Sequence, residues 1–233
     1  MMNFFDRKYE PGHHKPLPRE VGLQMLACEG ENVPVIVQLL DWHDFWDRYV
    51  MVLERHSPCE DILSFMDRTR GSITENIAQF IFRQATEAAE ICCKRGVFYR
   101  DIKLKNLLIN PNTLEVRIIN FRCSDLLKES AYTGYWDTYE YTCPELHKTG
   151  YYYCKPATVY SLGMLLYAMV CGAFPGSLSL KRIIEKTWSK DGLTEECCDL
   201  IQVCLQEDPE ERIDLEKILG HKWFQKSMAG SLT

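Results

Sequence analysis

Apolar side chains recur at helical spacing in five stretches of the chain. The longest stretch follows Ser72-Ile73-Thr74-Glu75, which has the spacing of a capping box, and Gly96 closes it. Residues 156–171 are apolar nearly all round, so they predict a buried central helix. The predicted helices cover residues 18–26, 75–95, 156–171, 194–205 and 214–219.

Shorter β-branched or apolar runs predict strands. Residues 35–40 and 49–53 are predicted to form an antiparallel pair, separated by the polar segment Asp41-Trp42-His43-Asp44. A second pair is predicted at residues 107–109 and 116–119. Helices and short strands in this order predict the α+β class.

Three stretches show no hydrophobic period. Residues 1–16 carry mixed charge and predict a loose N-terminal arm, and residues 226–233 predict a flexible tail. Residues 120–145 are rich in Tyr, Thr and Asp, which is typical of a long functional loop.

The composition restricts the function classes. The chain has 233 residues, 46% of them hydrophobic, enough for one large domain or two small ones. A net charge of −6 argues against a nucleic-acid or polybasic membrane surface. The eleven cysteines are odd in number and include no C-x-x-C pair, and the start of the chain does not resemble a signal peptide. We therefore expect a cytoplasmic or nuclear protein that has reduced cysteines and does not bind a membrane.

One polar loop carries candidate chemistry. Asp101, Lys103 and Asn106 place a carboxylate, an ammonium and a carboxamide between the long helix and the strand at residues 107–109. These groups can orient a hydroxyl nucleophile, stabilise a transferred phosphoryl group and ligate a metal. An isolated Asp-x-Lys-x-x-Asn is most often a polar turn, but here further matching segments follow in order.

The loop resembles the catalytic loop of a protein kinase, with Tyr99 where that family usually has His. Within the kinases, residues 17–225 resemble the Pim serine/threonine family. The segments that carry this resemblance are Leu39–Trp42, Leu53–Arg55, Asp125–Lys128, Ser161–Gly163, Tyr167–Gly172 and His221–Phe224.

The resemblance implies a protein-kinase-like α+β fold. Residues 17–58 would form a partial N-lobe with the regulatory helix, about two strands and the hinge, and residues 59–225 a mostly helical C-lobe. It also implies a structural ion pair between Glu145, in the Cys143-Pro144-Glu145 segment, and Arg212.

The resemblance also implies site residues. Asp101 would be the catalytic aspartate, Lys103 the lysine typical of serine/threonine kinases, and Thr138 the threonine that contacts the aspartate. Asn106 and Asn120 would be the metal ligands, so the cofactors are ATP and Mg²⁺ if any nucleotide is bound. The residues expected to contact or position the nucleotide are Glu20, Leu53, Glu54, His56 and Leu108.

Three departures from the kinase pattern bear on chemistry. Only 19 residues precede Glu20, and they contain neither a G-x-G-x-x-G hairpin nor a V-A-I-K strand; Lys8 is a poor substitute for the strand lysine. Asn120-Phe121-Arg122 stands in place of D-F-G, which removes a charge that should hold Mg²⁺. The third departure is Tyr99, which we expect to be tolerated.

Substrate recognition is also expected to differ. Pim-like kinases read basic peptides with acidic side chains, and Asp61 keeps one of these acids. Ser64 and Lys105 stand where the other acids are expected, and Lys105 would repel a basic peptide.

Three hypotheses remain open from the sequence. The first is a pseudokinase-like binding or scaffold module that has protein partners and impaired phosphotransfer. The second is an active serine/threonine kinase seen as a partial sequence, and the third is an unrelated α-rich domain. Arg122 also leaves room for a metal-free mode of nucleotide binding.

Overall fold

The computed structural model of this protein describes residues 17–30, 33–69, 71–134 and 138–225. The predicted arm at residues 1–16, with Lys8, and the predicted tail at residues 226–233 lie outside the described residues.

Helices dominate the described chain. Short 3₁₀ turns lie at Leu104–Asn106, Tyr139–Tyr141, Pro209–Glu211 and Leu215–Gly220. The α-helices are α1 (Arg19–Ala27), α2 (Ile62–Arg68), α3 (Glu75–Lys94), α4 (Pro144–Thr149), α5 (Cys154–Cys171), α6 (Ser177–Ile184), α7 (Glu195–Cys204) and α8 (Lys222–Gln225).

The strands are short and form three small sheets. Antiparallel β1 and β2 form one sheet, β3, β5 and β6 form the second in that order, and β4 pairs with β7. Their bounds are β1 (Leu39–Asp44), β2 (Tyr49–Leu53), β3 (Glu60–Asp61), β4 (Val97–Phe98), β5 (Leu107–Ile109), β6 (Val116–Ile118) and β7 (Asp125–Leu126).

The core is built around α5, as its apolar composition predicts. Almost every side chain of this helix is buried, and α3 and α7 pack against it. Gly172, with a φ of 75°, ends the helix in the left-handed conformation that glycine adopts without strain. Among the described helices, α5 is also long and apolar enough to cross a membrane by those two criteria, but 83% of it is buried in this fold, as expected of a core helix.

The first strand of the pair at the start of the chain is shifted along the sequence relative to the prediction. Asp41-Trp42-His43-Asp44, predicted to be the turn, belongs to β1, and the hairpin instead turns at residues 45–48. Ile36 makes a bridge to Ile118 and so lies on the second sheet. The apolar run at residues 35–40 therefore contributes residues to two different sheets. Hydrophobic periodicity alone does not indicate this division.

The predicted capping box is also wrong. Thr74 is the N-cap of α3 and its side chain makes no capping hydrogen bond. The Glu75 carboxylate instead accepts hydrogen bonds from Thr194 N at 2.8 Å and from Trp223 Nε1 at 2.8 Å. Glu75 thus joins α3 to the last part of the chain rather than closing its own helix.

Candidate active site

The loop between β4 and β5 is fixed where it begins. Arg100 adopts a φ of 68°, and its guanidinium donates to the Tyr152 hydroxyl and lies 3.4 Å from Asp125 Oδ2. Asp101 therefore follows a residue that is tied to two distant segments. No local motif in the sequence marks Arg100, Asp125 or Tyr152 for this role, because the Arg100–Tyr152 contact spans 52 residues.

The structure brings together the three residues predicted to be catalytic. Asp101 is only 7% exposed, and Lys103 Nζ lies 2.8 Å from its Oδ1. The same ammonium donates to Thr138 Oγ1 at 3.1 Å. The carboxylate is thus held beside a cation and a hydroxyl, an arrangement that can orient a substrate hydroxyl and stabilise a transferred anionic group.

Asn106 and Asn120, the predicted metal ligands, lie beside each other. Asn106 Nδ2 donates to Asp101 Oδ2 at 2.6 Å and to Asp101 O at 2.9 Å. Asn120 Nδ2 donates to Asn106 Oδ1 at 3.4 Å. The Asn106 oxygen that would ligate a metal is therefore already an acceptor for the second asparagine.

The conformation of the Asn120-Phe121-Arg122 segment suits its residues. Asn120 has a φ of 67°, a left-handed value that asparagine tolerates better than most residues. Arg122, in contrast, does not have a positive φ. In this conformation the backbone therefore does not require a glycine at position 122.

These donors fit Mg²⁺ poorly. Magnesium prefers oxygen ligands that include carboxylates, and the two asparagines offer neutral amide oxygens. The nearby Asp101 carboxylate is already bonded to Lys103 and Asn106. Within the described ranges, no three His, Cys, Asp or Glu side chains come close enough together to hold a metal.

Tyr99, at the position where the kinase family usually has His, contacts the segment that leads into Asn120. It is buried, and its hydroxyl donates to the Ile119 carbonyl, one residue before Asn120. Its ring packs edge-on against Phe121 with centroids 5.1 Å apart. Burial raises the pKa of the Tyr99 phenol, and the Asp101 charge adds to this effect. Tyr99 therefore remains neutral and connects the start of the loop at residues 101–106 to the Asn120-Phe121-Arg122 segment.

Glu20 lies on α1 and contacts β2. Tyr49 donates to Glu20 Oε2 at 2.8 Å. Burial, followed by this hydrogen bond, raises the pKa of Tyr49 to about 12, while the Arg122 charge acts in the opposite direction. Arg122 is therefore near enough to influence the Tyr49–Glu20 pair electrostatically.

Glu54 and His56, the predicted hinge residues, form a polar cluster with Gln38 and Arg117. Glu54 Oε1 accepts from Gln38 N at 2.9 Å and from Arg117 Nη1 at 3.2 Å, and Glu54 Oε2 lies 2.9 Å from His56 Nε2. Burial raises the pKa of Glu54, but the contacts with Gln38 N and the His56 side chain, together with the Arg117 charge, outweigh it, so the pKa is lowered. The Glu54 side chain therefore stays ionised and has a structural role.

Leu53 and Leu108 are the remaining residues that were expected to contact the nucleotide. Leu53 pairs with Leu39 across the first sheet and is 36% exposed. Leu108 pairs with Arg117 in the second sheet and, together with His56, lines a water-sized cavity of about 20 Å³. The structure thus places His56 and Leu108 on the wall of the same small cavity.

Tyr141 is a site residue that the sequence analysis missed. Its hydroxyl accepts a hydrogen bond from Leu104 N at 3.2 Å, inside the loop that carries Asp101, Lys103 and Asn106. Its backbone carbonyl accepts from Ser161 Oγ on α5 at 3.1 Å. Burial raises the pKa of Tyr141 to about 12. A tyrosine in an aperiodic loop gives no sequence signal for such a link.

The residues expected to read a peptide lie at the start of α2 and in the loop before β5. Asp61 is the N-cap of α2 and accepts from Ser64 N at 3.1 Å and from Ser64 Oγ at 2.7 Å. This acid is thus used to begin a helix. Lys105, in contrast, is exposed in the 3₁₀ turn of the catalytic loop.

Comparisons with known proteins agree on one family. The profile of the protein kinase domain matches residues 6–224. Serine/threonine-protein kinase pim-2 of Danio rerio is 35% identical over 222 residues, which cover 93% of this chain and 71% of that protein. Serine/threonine-protein kinase prk-2 of Caenorhabditis elegans is 32% identical over 205 residues, covering 86% of this chain and 46% of the relative.

A more distant group is also similar. Testis-specific serine/threonine-protein kinase 2 of Mus musculus is 30% identical over 243 residues, covering 96% of this chain and 65% of the relative. The chain thus spans less than two thirds of the length of this kinase and of the Caenorhabditis elegans relative.

Proposed function

Because this chain belongs to the protein kinase domain family, we propose that it is a kinase-fold binding module with impaired phosphotransfer. The observation that carries this proposal is the contact between Asn120 and Asn106, the two expected metal ligands. As the expected metal ligands, Asn106 and Asn120 offer only neutral amides, whereas a divalent cation needs at least one charged oxygen.

The size of this effect favours a weak or inactive enzyme. Loss of a charged ligand at a divalent cation costs on the order of several kcal/mol, and each 1.4 kcal/mol is about a tenfold change in rate. The neighbouring Arg122 adds a positive charge, which further opposes a bound cation. We expect Arg122 to favour an anionic phosphate without metal instead.

A second candidate function is an active serine/threonine kinase. The contact of Lys103 with both Asp101 and Thr138 favours it, since this is the cluster that would act on a substrate hydroxyl. In that case the substrate would be protein Ser or Thr and the donor ATP. Because Lys105 is exposed and Asp61 is bonded within α2, we expect a basic peptide to be a poor substrate.

The binding role is supported by exposed apolar side chains on the first sheet. Trp46, at the turn between β1 and β2, is 91% exposed, and Leu40 and Val52 on the strands are also exposed. A protein partner would cover such a surface. Trp46→Ser is expected to reduce self-association in light scattering at unchanged melting temperature, and unchanged association would argue against this surface as a contact.

The enzymatic half of the proposal is tested by titrating the purified chain with ATP, with and without Mg²⁺ or Mn²⁺. We expect no metal-dependent rise in melting temperature, and no transfer of labelled phosphate above the level of an Asp101→Asn control. A metal-dependent rise, together with transfer that Asp101→Asn abolishes, would instead establish the active kinase.

A further inference from the structure

Two cysteines far apart in sequence lie in contact. Cys93 is near the end of α3 and Cys154 is the first residue of α5, and their sulfur atoms are 3.6 Å apart. The structure describes all eleven cysteines and pairs none of them in a disulfide. A sulfur contact of this length needs only a small side-chain movement to reach the bonding distance of about 2.05 Å.

The two thiols have different surroundings. Cys93 is partly exposed, whereas Cys154 is buried. A hydrogen bond from Cys154 lowers the pKa of Cys93, and the Lys155 ammonium lowers it further. Burial and the charges of Glu216 and Glu90 act in the opposite direction. The same hydrogen bond and burial raise the pKa of Cys154. Cys93 is therefore the reachable nucleophile and Cys154 the thiol that would resolve its oxidised form.

We propose that Cys93 and Cys154 form a reversible modification site that a peroxide converts into an intrachain disulfide. The Cys93 thiolate attacks one peroxide oxygen, the O–O bond breaks, and the leaving hydroxide takes a proton to become water. Cys154 sulfur then attacks the Cys93 sulfenic acid, the S–S bond forms, and the S–O bond breaks. The departing oxygen takes the Cys154 proton, so two thiols and one peroxide give one disulfide and two waters.

The cross-link would fasten segments on either side of the candidate active site. The closed loop spans 61 residue positions and contains the catalytic loop and the Asn120 segment. Two residues before Cys154, Tyr152 exchanges backbone hydrogen bonds of 3.1 and 2.8 Å with Tyr132. A disulfide between the end of α3 and the start of α5 would reduce the conformational freedom of the unfolded chain. Because the two sulfur atoms are already in contact, it requires no new fold.

The experiment compares oxidised and reduced full-length chain. After treatment with hydrogen peroxide, we expect a mass loss of two hydrogen atoms, reversed by dithiothreitol, and a cross-linked peptide that joins Cys93 to Cys154. The melting temperature of the oxidised form should rise by on the order of 5–10 °C.

The neighbouring Cys92 provides a matched control. Trypsin cannot separate Cys92 from Cys93, because residues 84–94 contain no internal Lys or Arg. Cys92→Ala should keep the mass loss and the thermal shift, whereas Cys93→Ala and Cys154→Ala should lose both, with folding of each reduced variant checked by its own melting curve.

Three results would overturn the proposal. The first is an oxidised wild-type chain that stays folded without a Cys93–Cys154 disulfide. The second is a mass loss and thermal shift that persist in Cys93→Ala, and the third is a mass loss and thermal shift that are lost only in Cys92→Ala. Oxidation confined to the exposed Cys59 would be one case of the first result.

Discussion

Arg212 and Glu145 form a buried, bidentate ion pair. Arg212 Nη1 donates to Glu145 Oε1 at 2.8 Å and Arg212 Nη2 to Glu145 Oε2 at 2.5 Å. Arg212 also donates to the Gln206 and Pro156 carbonyls. The predicted pair is thus confirmed, and it joins α4 to the start of α5 and to the last helical segments of the chain.

Removing the arginine should destabilise the fold strongly. Arg212→Ala leaves the Glu145 carboxylate buried without its cation, which costs roughly 3–5 kcal/mol. Arg212→Lys keeps the charge but not the two parallel hydrogen bonds, so it should fall between the wild type and the alanine variant. Urea unfolding measures both, and a loss below about 1 kcal/mol for Arg212→Ala would contradict this account.

A glycine in α5 should resist even the smallest side chain. A Cβ atom on Gly163 would lie 2.7 Å from Cys204 Cβ and 2.8 Å from Leu205 Cδ2, so α5 and α7 would have to separate. Gly163→Ala gains about 1 kcal/mol of helix propensity, but overpacking costs about 1–3 kcal/mol, so we expect net destabilisation. Gly220→Ala, where a Cβ meets nothing, is the control and should be within about 0.5 kcal/mol of wild type in thermal unfolding.

Tyr141 should make stability depend on alkaline pH. Its folded pKa of about 12 lies above the ordinary value of 10 because of burial, so the unfolded chain loses the proton first. The stability from the neutral phenol is complete below pH 10 and is lost between pH 10 and about 12, with a total of roughly 2–3 kcal/mol.

The test compares Tyr141→Phe with the wild type across this pH range. At pH 8 the variant should be less stable by about 1–2 kcal/mol, because Leu104 N loses its buried acceptor. The difference between the two proteins should then shrink as the pH rises from 10 to 12. Parallel stability curves would show that this phenol does not titrate differently on folding.

The sequence predicted those features that depend on local pattern. The central helix, the helix at residues 194–205 and the strands at residues 107–109 and 116–118 lie where hydrophobic spacing places them. The predicted relationship to protein kinases, and to Pim kinases among them, is confirmed by the family match and by 35% identity to a pim-2 kinase. Ordered motifs across the whole chain carry this information.

Features that depend on distant partners were beyond such reasoning. Glu75 has capping-box spacing, but Thr194 and Trp223, more than 100 positions away, use its carboxylate. The amphipathic α6 is only eight residues long and was not predicted. In the same way, Asp101, Asn106 and Asn120 could be chosen from motifs, but the 3.4 Å contact between the two asparagines could not, because it depends on the left-handed turn at Asn120.

Restoring the acid should restore metal chemistry if the missing charge is the cause of weak phosphotransfer. In Asn120→Asp a carboxylate would replace the amide that donates to Asn106, which leaves that oxygen available and adds a charged ligand. We expect a Mg²⁺-dependent rise in melting temperature with ATP and a gain in phosphate transfer on the order of 100-fold, larger still with Arg122→Gly. Asn112→Asp, an exposed turn residue, is the matched charge control and should change neither. If Asn120→Asp binds no metal, the impairment has another origin than this side chain.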